Sequence, residues 1–166
     1  MLPSNPPNTS GTARLMVDAP GFAVGWQQPL YLPAPAAGQP WVHTVDGRYF
    51  ERLISATFSI TTDVVAGSRF PLLRLFDSNG KLAAMSSIGA LVAASSSMLV
   101  SMNVRSQPFA IAGSGETAGL IPDLLVPPGW TWSACQTDID VGDQVSGAVL
   151  IVQQFPSDAV AIPVNG

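Results

Sequence analysis

Ile54-Ser55-Ala56-Thr57-Phe58-Ser59-Ile60-Thr61 alternates without a break. Ile54, Ala56, Phe58 and Ile60 fall on one face; Ser55, Thr57, Ser59 and Thr61 fall on the other. Successive side chains of a strand point to opposite sides of a sheet, so this is the pattern of a half-buried β-strand. A helix would need its apolar residues three and four apart, and here they are two apart.

Working outward, the same period recurs. Residues 70–76 form a β-rich run that stops at Asp77-Ser78-Asn79-Gly80, and Asn-Gly before a new apolar run signals a hairpin. Residues 81–85 are the expected returning strand. Met98, Val100, Met102 and Val104 alternate with Leu99, Ser101, Asn103 and Arg105, and Trp130, Trp132 and Ala134 alternate with Thr131, Ser133 and Cys135. Residues 145–155 read as a long strand, entered through a turn at 138–143 that contains Val141-Gly142. Residues 88–94, 109–112 and 120–126 carry weaker strand signals, the last as an extended approach to Pro127-Pro128-Gly129. The total is about eight strands, with no capped helical stretch and no internal repeat. Many short strands punctuated by Gly and Pro predict an all-β sandwich or barrel, and eight strands in two sheets suit a jelly roll.

Upstream the pattern changes. Eight of the fifteen prolines lie in the first forty residues. Proline removes an amide donor and disfavours helix at the preceding residue. Residues 1–40 are therefore expected to form an extended arm, neither helix nor interior strand, with the sandwich domain occupying 41–166. The arm is apolar and aromatic, and residues 19–45 contain no Asp, Glu, Lys or Arg. Disordered linkers are poor in aromatics and rich in charge, so an arm of this kind is expected to lie on its own body or on a neighbouring subunit. Phe22, Trp26, Tyr31 and Trp41 are its candidate contact anchors, because Trp and Tyr dominate interface hot spots.

Charge is scarce throughout. Seven basic and eleven acidic residues make up 11% of 166 residues, where about 25% is usual. The net charge is −4 and the basic residues are scattered. Nucleic-acid binding needs a basic stripe to neutralise phosphates, so it is not expected. Residues 82–104 are uncharged and long enough to span a bilayer, but six serines and Asn103 interrupt them, so strands and turns are expected there and not a membrane helix. The start, MLPSNPPNTS, has no basic region followed by an apolar stretch, and no secretory signal is expected.

Catalytic chemistry has little to build on. His43 is the only histidine, and no Ser stands in a nucleophile-elbow context. Cys135, the only cysteine, alternates with buried positions and reads as a structural thiol. Gly113-Ser114-Gly115 is too short for a phosphate loop and no lysine follows it. Asp138, Asp140 and Asp143 loosely resemble an oxygen-rich calcium loop, yet the spaced bidentate Glu is missing and a turn explains the same residues. Whether they hold an ion stays open at this point. Trp26, Trp41, Trp130 and Trp132 offer stacking faces for a sugar, although core and interface are the commoner fates of Trp. No catalytic site, metal or cofactor is expected.

The C-terminal third carries a more specific pattern. Pro122-Asp123-Leu124-Leu125-Val126-Pro127-Pro128-Gly129-Trp130-Thr131-Trp132 leads into Thr137-Asp138-Ile139-Asp140-Val141-Gly142-Asp143-Gln144-Val145-Ser146 and then Ala148-Val149-Leu150-Ile151-Val152. Upstream, Arg52-Leu53-Ile54-Ser55-Ala56-Thr57-Phe58 and Arg69-Phe70-Pro71-Leu72-Leu73-Arg74-Leu75-Phe76-Asp77 precede the Asn-Gly turn. Together, over residues 50–155, these resemble the small β-sandwich accessory virion proteins of tailed bacteriophages. The most specific element is Leu-x-Pro-Pro-Gly-Trp followed by Gly-Asp-Gln. The resemblance implies a non-enzymatic virion protein, assembled in the host cytoplasm, that decorates or cements a capsid shell. Its partners would be the major capsid protein or neighbouring virion proteins, and further copies of itself, frequently as trimers. A head–tail joining or tail component is the alternative within the same class, and a carbohydrate-binding adhesion module is the alternative outside it.

Overall fold

The structure, a computed structural model, describes residues 15–17, 25–104, 109–111 and 115–157. They form strands β1 (Leu15–Val17), β2 (Gly25–Leu32), β3 (Trp41–Thr44), β4 (Tyr49–Thr61), β5 (Pro71–Phe76) and β6 (Leu82–Ser87). The chain continues through β7 (Ser97–Asn103), β8 (Phe109–Ile111), β9 (Glu116–Leu120), β10 (Thr131–Gln136), β11 (Gln144–Val145) and β12 (Ala148–Pro156). No helix occurs among the described residues that is long and apolar enough to cross a membrane.

Two sheets face each other. The larger has the order β1-β2-β12-β4-β7-β9-β8, with β11 also on β4, and the smaller is β3-β10-β5-β6. The protein is an all-β sandwich. Its centre is two antiparallel four-stranded sheets, β2-β12-β4-β7 and β3-β10-β5-β6, between which the chain passes in jelly-roll fashion. These are eight strands; β1, β8, β9 and β11 are four short additions to the larger sheet. β9 runs parallel to β7, which the stretch from 104 to 115, including β8, makes possible.

The inward faces close one core. β4 contributes Ala56, Phe58 and Ile60, β7 Val100 and Met102, β12 Leu150 and Val152, and the small sheet Trp41, Leu73, Leu75, Trp132 and Ala134. The Trp41 and Phe58 rings meet edge to face at 5.7 Å. Ile54 departs from the expected alternation. Ile151 pairs with Ser55 but Val152 pairs with Leu53, so Ile54 is the extra residue of a bulge. Past the bulge Leu53 and Glu51 take the buried positions. The hairpin forms between β5 and β6. Gly80 adopts φ +78° there, and the Asp77 carboxylate accepts from the Asn79 and Lys81 amides.

The expected arm is corrected by β2. Gly25–Leu32 lies between β1 and β12 and belongs to the sandwich, so the division at residue 40 does not hold. Counting prolines over forty residues hid their spacing. Only Pro29 falls inside β2, beyond the three residues that β1 covers, so on that side it sits at a sheet edge, where a missing amide is tolerated. Residues 1–14 and 18–24 of the expected arm lie outside the described residues. The weak signal at 88–94 gives one isolated bridge, Val92 to Arg69, and 120–126 gives one at Val126 to Glu51 beyond the end of β9.

Candidate interaction surface

All four loops at one end of the sandwich converge: 33–40, 62–70, 88–96 and 137–143. One buried carboxylate gathers them. Asp143 accepts from Arg69 Nε at 2.8 Å, from the Asp63 amide at 3.0 Å, from the Asp140 amide at 2.9 Å, and from the Gln136 side-chain amide. Arg69, also buried, donates to Asp63 Oδ1 at 2.9 Å and to the Val65 carbonyl. Burial alone would push the Asp143 carboxyl up. The amides of Asp140 and Asp63 and the Arg69 guanidinium outweigh it, and the group sits below the ordinary carboxylate range. The remaining loops are tied in through backbone. Gly38 donates to the Asp143 carbonyl at 2.8 Å, Ser95 to the Asp63 carbonyl at 2.6 Å, and Thr62 Oγ1 to the Ala93 carbonyl at 2.6 Å.

This crown of loops buries its Arg69–Asp143 pair and turns apolar side chains outward. Val64 and Val141 are 82% and 81% exposed, and Val65 and Leu91 are exposed beside them. The loops bearing Val64 and Val141 are in intimate contact: a Cβ on Gly142 would stand 2.5 Å from Asp63 Oδ2, so only glycine fits. Asp138 is exposed at φ 49°, whereas Asp143 is buried and its carboxylate is taken up by Arg69, Gln136 and two backbone amides. Among the described residues no three His, Cys, Asp or Glu side chains are grouped to hold a metal ion.

The outer face of the larger sheet is a second exposed region. β4 presents Ser55, Thr57, Ser59 and Thr61, and β7 presents Ser97, Leu99, Ser101 and Asn103 in register with them. Val149 and Ile151 of β12 and Pro29 and Tyr31 of β2 complete the face. None of these positions is charged.

The predicted anchors separate. Tyr31 is 72% exposed on this face. Trp41 is corrected: it is 2% exposed and belongs to the core, because β3 points it inward against Phe58. Trp26 is partly buried, with Nε1 3.2 Å from Gln154 Oε1 and its ring edge to face with Tyr49 at 5.1 Å. Phe22 lies outside the described residues. With Trp41 and Trp132 both buried, a four-tryptophan sugar platform does not exist.

The remaining polar cluster is internal. His43 Nε2 lies 2.8 Å from Glu51 Oε1, and Glu51 Oε2 accepts from Gln154 Nε2 at 3.0 Å. Gln154 Oε1 in turn accepts from Gln28 Nε2 at 2.6 Å. The carboxylate thus meets the His43 imidazole and the Gln154 amide, whose own oxygen accepts from Gln28 and the Trp26 indole, and among the described residues no hydroxyl is hydrogen-bonded to His43. The Cys135 thiol is pushed up by burial, against the opposing pull of Arg74, and burial thus favours its protonated form.

Neither Val64, Val141 nor the Arg69–Asp143 pair stood out in the sequence. The one available signal was a Val64-Val65 pair just ahead of Gly67, apolar residues where a loop is expected to be polar.

No protein-family model and no curated protein matches the sequence. Among solved structures, a chain from infectious bursal disease virus, Gt strain, is similar at 11% identity and a TM-score of 0.29, over 93% of this chain and 50% of that one. This chain thus spans half the length of that one.

Proposed function

We propose that this chain is a non-enzymatic structural protein of a virus particle, a decoration or cement protein of a bacteriophage capsid that stabilises the shell through contacts between subunits. The observation that carries the reading is the uncharged patch that β2, β12, β4 and β7 share on the outer face of the larger sheet, headed by Tyr31, with charge on this face only at the patch's margins, in Arg52 and Glu116. A protein free in solution needs charge on so broad a face for solubility, and a protein whose face is covered by neighbours does not. The resemblance of residues 50–155 to accessory virion proteins of tailed phages supports the same class. Many copies bound to an assembled lattice, and not to free subunits, stabilise it by mass action.

Removing residues 1–40 is not a clean test, because it removes β2. Quantitative mass spectrometry of purified virions is the direct one. A decoration protein is expected in copy numbers comparable with the major capsid protein. A dozen or fewer copies would move it to the head–tail joint or tail, and absence from washed particles would end the virion reading.

A further inference from the structure

Two surfaces of the chain are complementary, yet they cannot meet within one molecule. One is the crown. Its exposed residues are Val64, Leu91 and Val141, with Asp138 beside them, and its one cation, Arg69, is buried and paired. The other is the outer face of the smaller sheet. Val42, Ser133, Arg74 and Met85 form a single row across β3, β10, β5 and β6, in which Val42 and Met85 are exposed, Arg74 is half-buried and Ser133 is buried between Val42 and Arg74. Lys81 and exposed Leu82 follow at the hairpin.

The charges on these surfaces are the ones left over. Arg48, Arg52 and Arg69 pair with Asp46, Asp123 and the Asp63–Asp143 couple. Arg74 and Lys81 form no ion pair among the described residues, and neither do Asp138 and Asp140. Asp138 and Asp140 lie on the crown, Arg74 lies on the small-sheet face, and at the hairpin beside that face Lys81 is accompanied by Asp77, whose carboxylate accepts the Asn79 and Lys81 amides. The crown caps one end of the sandwich and the small sheet forms its side, so a rigid monomer keeps them apart.

We propose that the crown of one copy docks on the small-sheet face of a second copy, with Val64 and Val141 against Val42 and Met85, and Asp138 facing Arg74. Crown-to-crown pairing would oppose like charges, which costs affinity, whereas crown-to-face pairing matches opposite ones. The contact joins two different surfaces, so a bound pair keeps one of each free, and the assembly grows into a ring or a chain. Sulfate-free low-salt buffer favours it and added salt weakens it. The contact holds whether or not the assembly is a virus particle.

Sedimentation velocity of the purified full chain across a concentration series tests this. Wild type is expected to self-associate. Arg74→Glu alone and Asp138→Lys alone are each expected to weaken association about tenfold or more, and the double variant to restore most of it. Val141→Ser, at a position 81% exposed, is expected to weaken association without moving the melting midpoint. Far-UV circular dichroism confirms that each variant is folded. A wild type that stays monomeric at every concentration overturns the proposal, as does association that neither single reversal alters or that the double reversal fails to rescue. None of these results bears on whether virions contain the chain, so the two readings fail separately.

Discussion

In the crown, Arg69 and Asp143 face each other across 2.8 Å in the dry interior; at the opposite end, Arg48 and Asp46 face each other across the same 2.8 Å in open solvent. Distance therefore does not separate the two pairs, and hydration does. The buried pair has given up water, and each partner depends on the other and on the surrounding amides. The exposed pair exchanges freely with water and counter-ions. The consequence reaches the surface. With Arg69 and Asp143 drawn inward, the crown presents valines beside Asp138, while the turn end, with Asp46–Arg48 and Arg52–Asp123 on its exterior, is a charged and balanced surface. The fold has one end whose ion pairs are buried and one whose ion pairs are exposed.

Removing a buried partner should break that contrast most. Asp143→Ala leaves Arg69 with the partly exposed Asp63 alone, and strips the acceptor from the Asp63 and Asp140 amides and from Gln136. Loss of one member of a buried pair typically costs about 3–5 kcal/mol, roughly a fifth or more of the stability of an ordinary domain. Urea unfolding should show it directly. A loss below about 1 kcal/mol would mean that water reaches Arg69, on the scale of exposed pairs, and that the crown is not a rigid pedestal.

What could be read beforehand follows the same division between local and distant. Alternation at 55–61 and the Asp77–Gly80 turn are local properties, and both formed as expected. The pairing of β2 with β12 joins residues more than a hundred positions apart, and nothing in the proline-rich sequence around Pro29 announces it. Trp41 was misplaced for the same reason: its partner Phe58 is on another sheet. The bulge at Ile54 is set by the register of β12, so local periodicity could not show that Ile54 gives its inward place to Leu53. The Arg69–Asp143 pair spans seventy-four positions, and each residue alone looks like an ordinary loop charge.

Acid should weaken the crown while leaving the sandwich interior alone. The Asp143 carboxyl is held below its ordinary value of 3.8, so the fold favours its ionised form. Stability from this group is complete above the unfolded value and is lost as pH falls through the folded one. Hydrogen exchange should therefore show amides of 62–70 and 137–143 opening below about pH 4, ahead of β4 and β12. Uniform opening of loops and sheets together would show that acid acts elsewhere.

The smallest effect belongs to the exposed pair. Arg48 donates twice to Asp46, through Nε at 2.9 Å and Nη2 at 2.8 Å, and draws the Asp46 carboxyl down to about 2. By geometry this is a better pair than Arg69 with Asp143. Arg48 nonetheless stacks only on Tyr49 and is otherwise surrounded by water, so truncating it strands no buried group. Arg48→Ala is expected to leave the urea midpoint within measurement error, and any residue of an effect to vanish as salt is raised. If Arg48→Ala instead proved as costly as Asp143→Ala, then geometry and not burial would set the worth of an ion pair in this fold, and the contrast between the two ends would have to be given up.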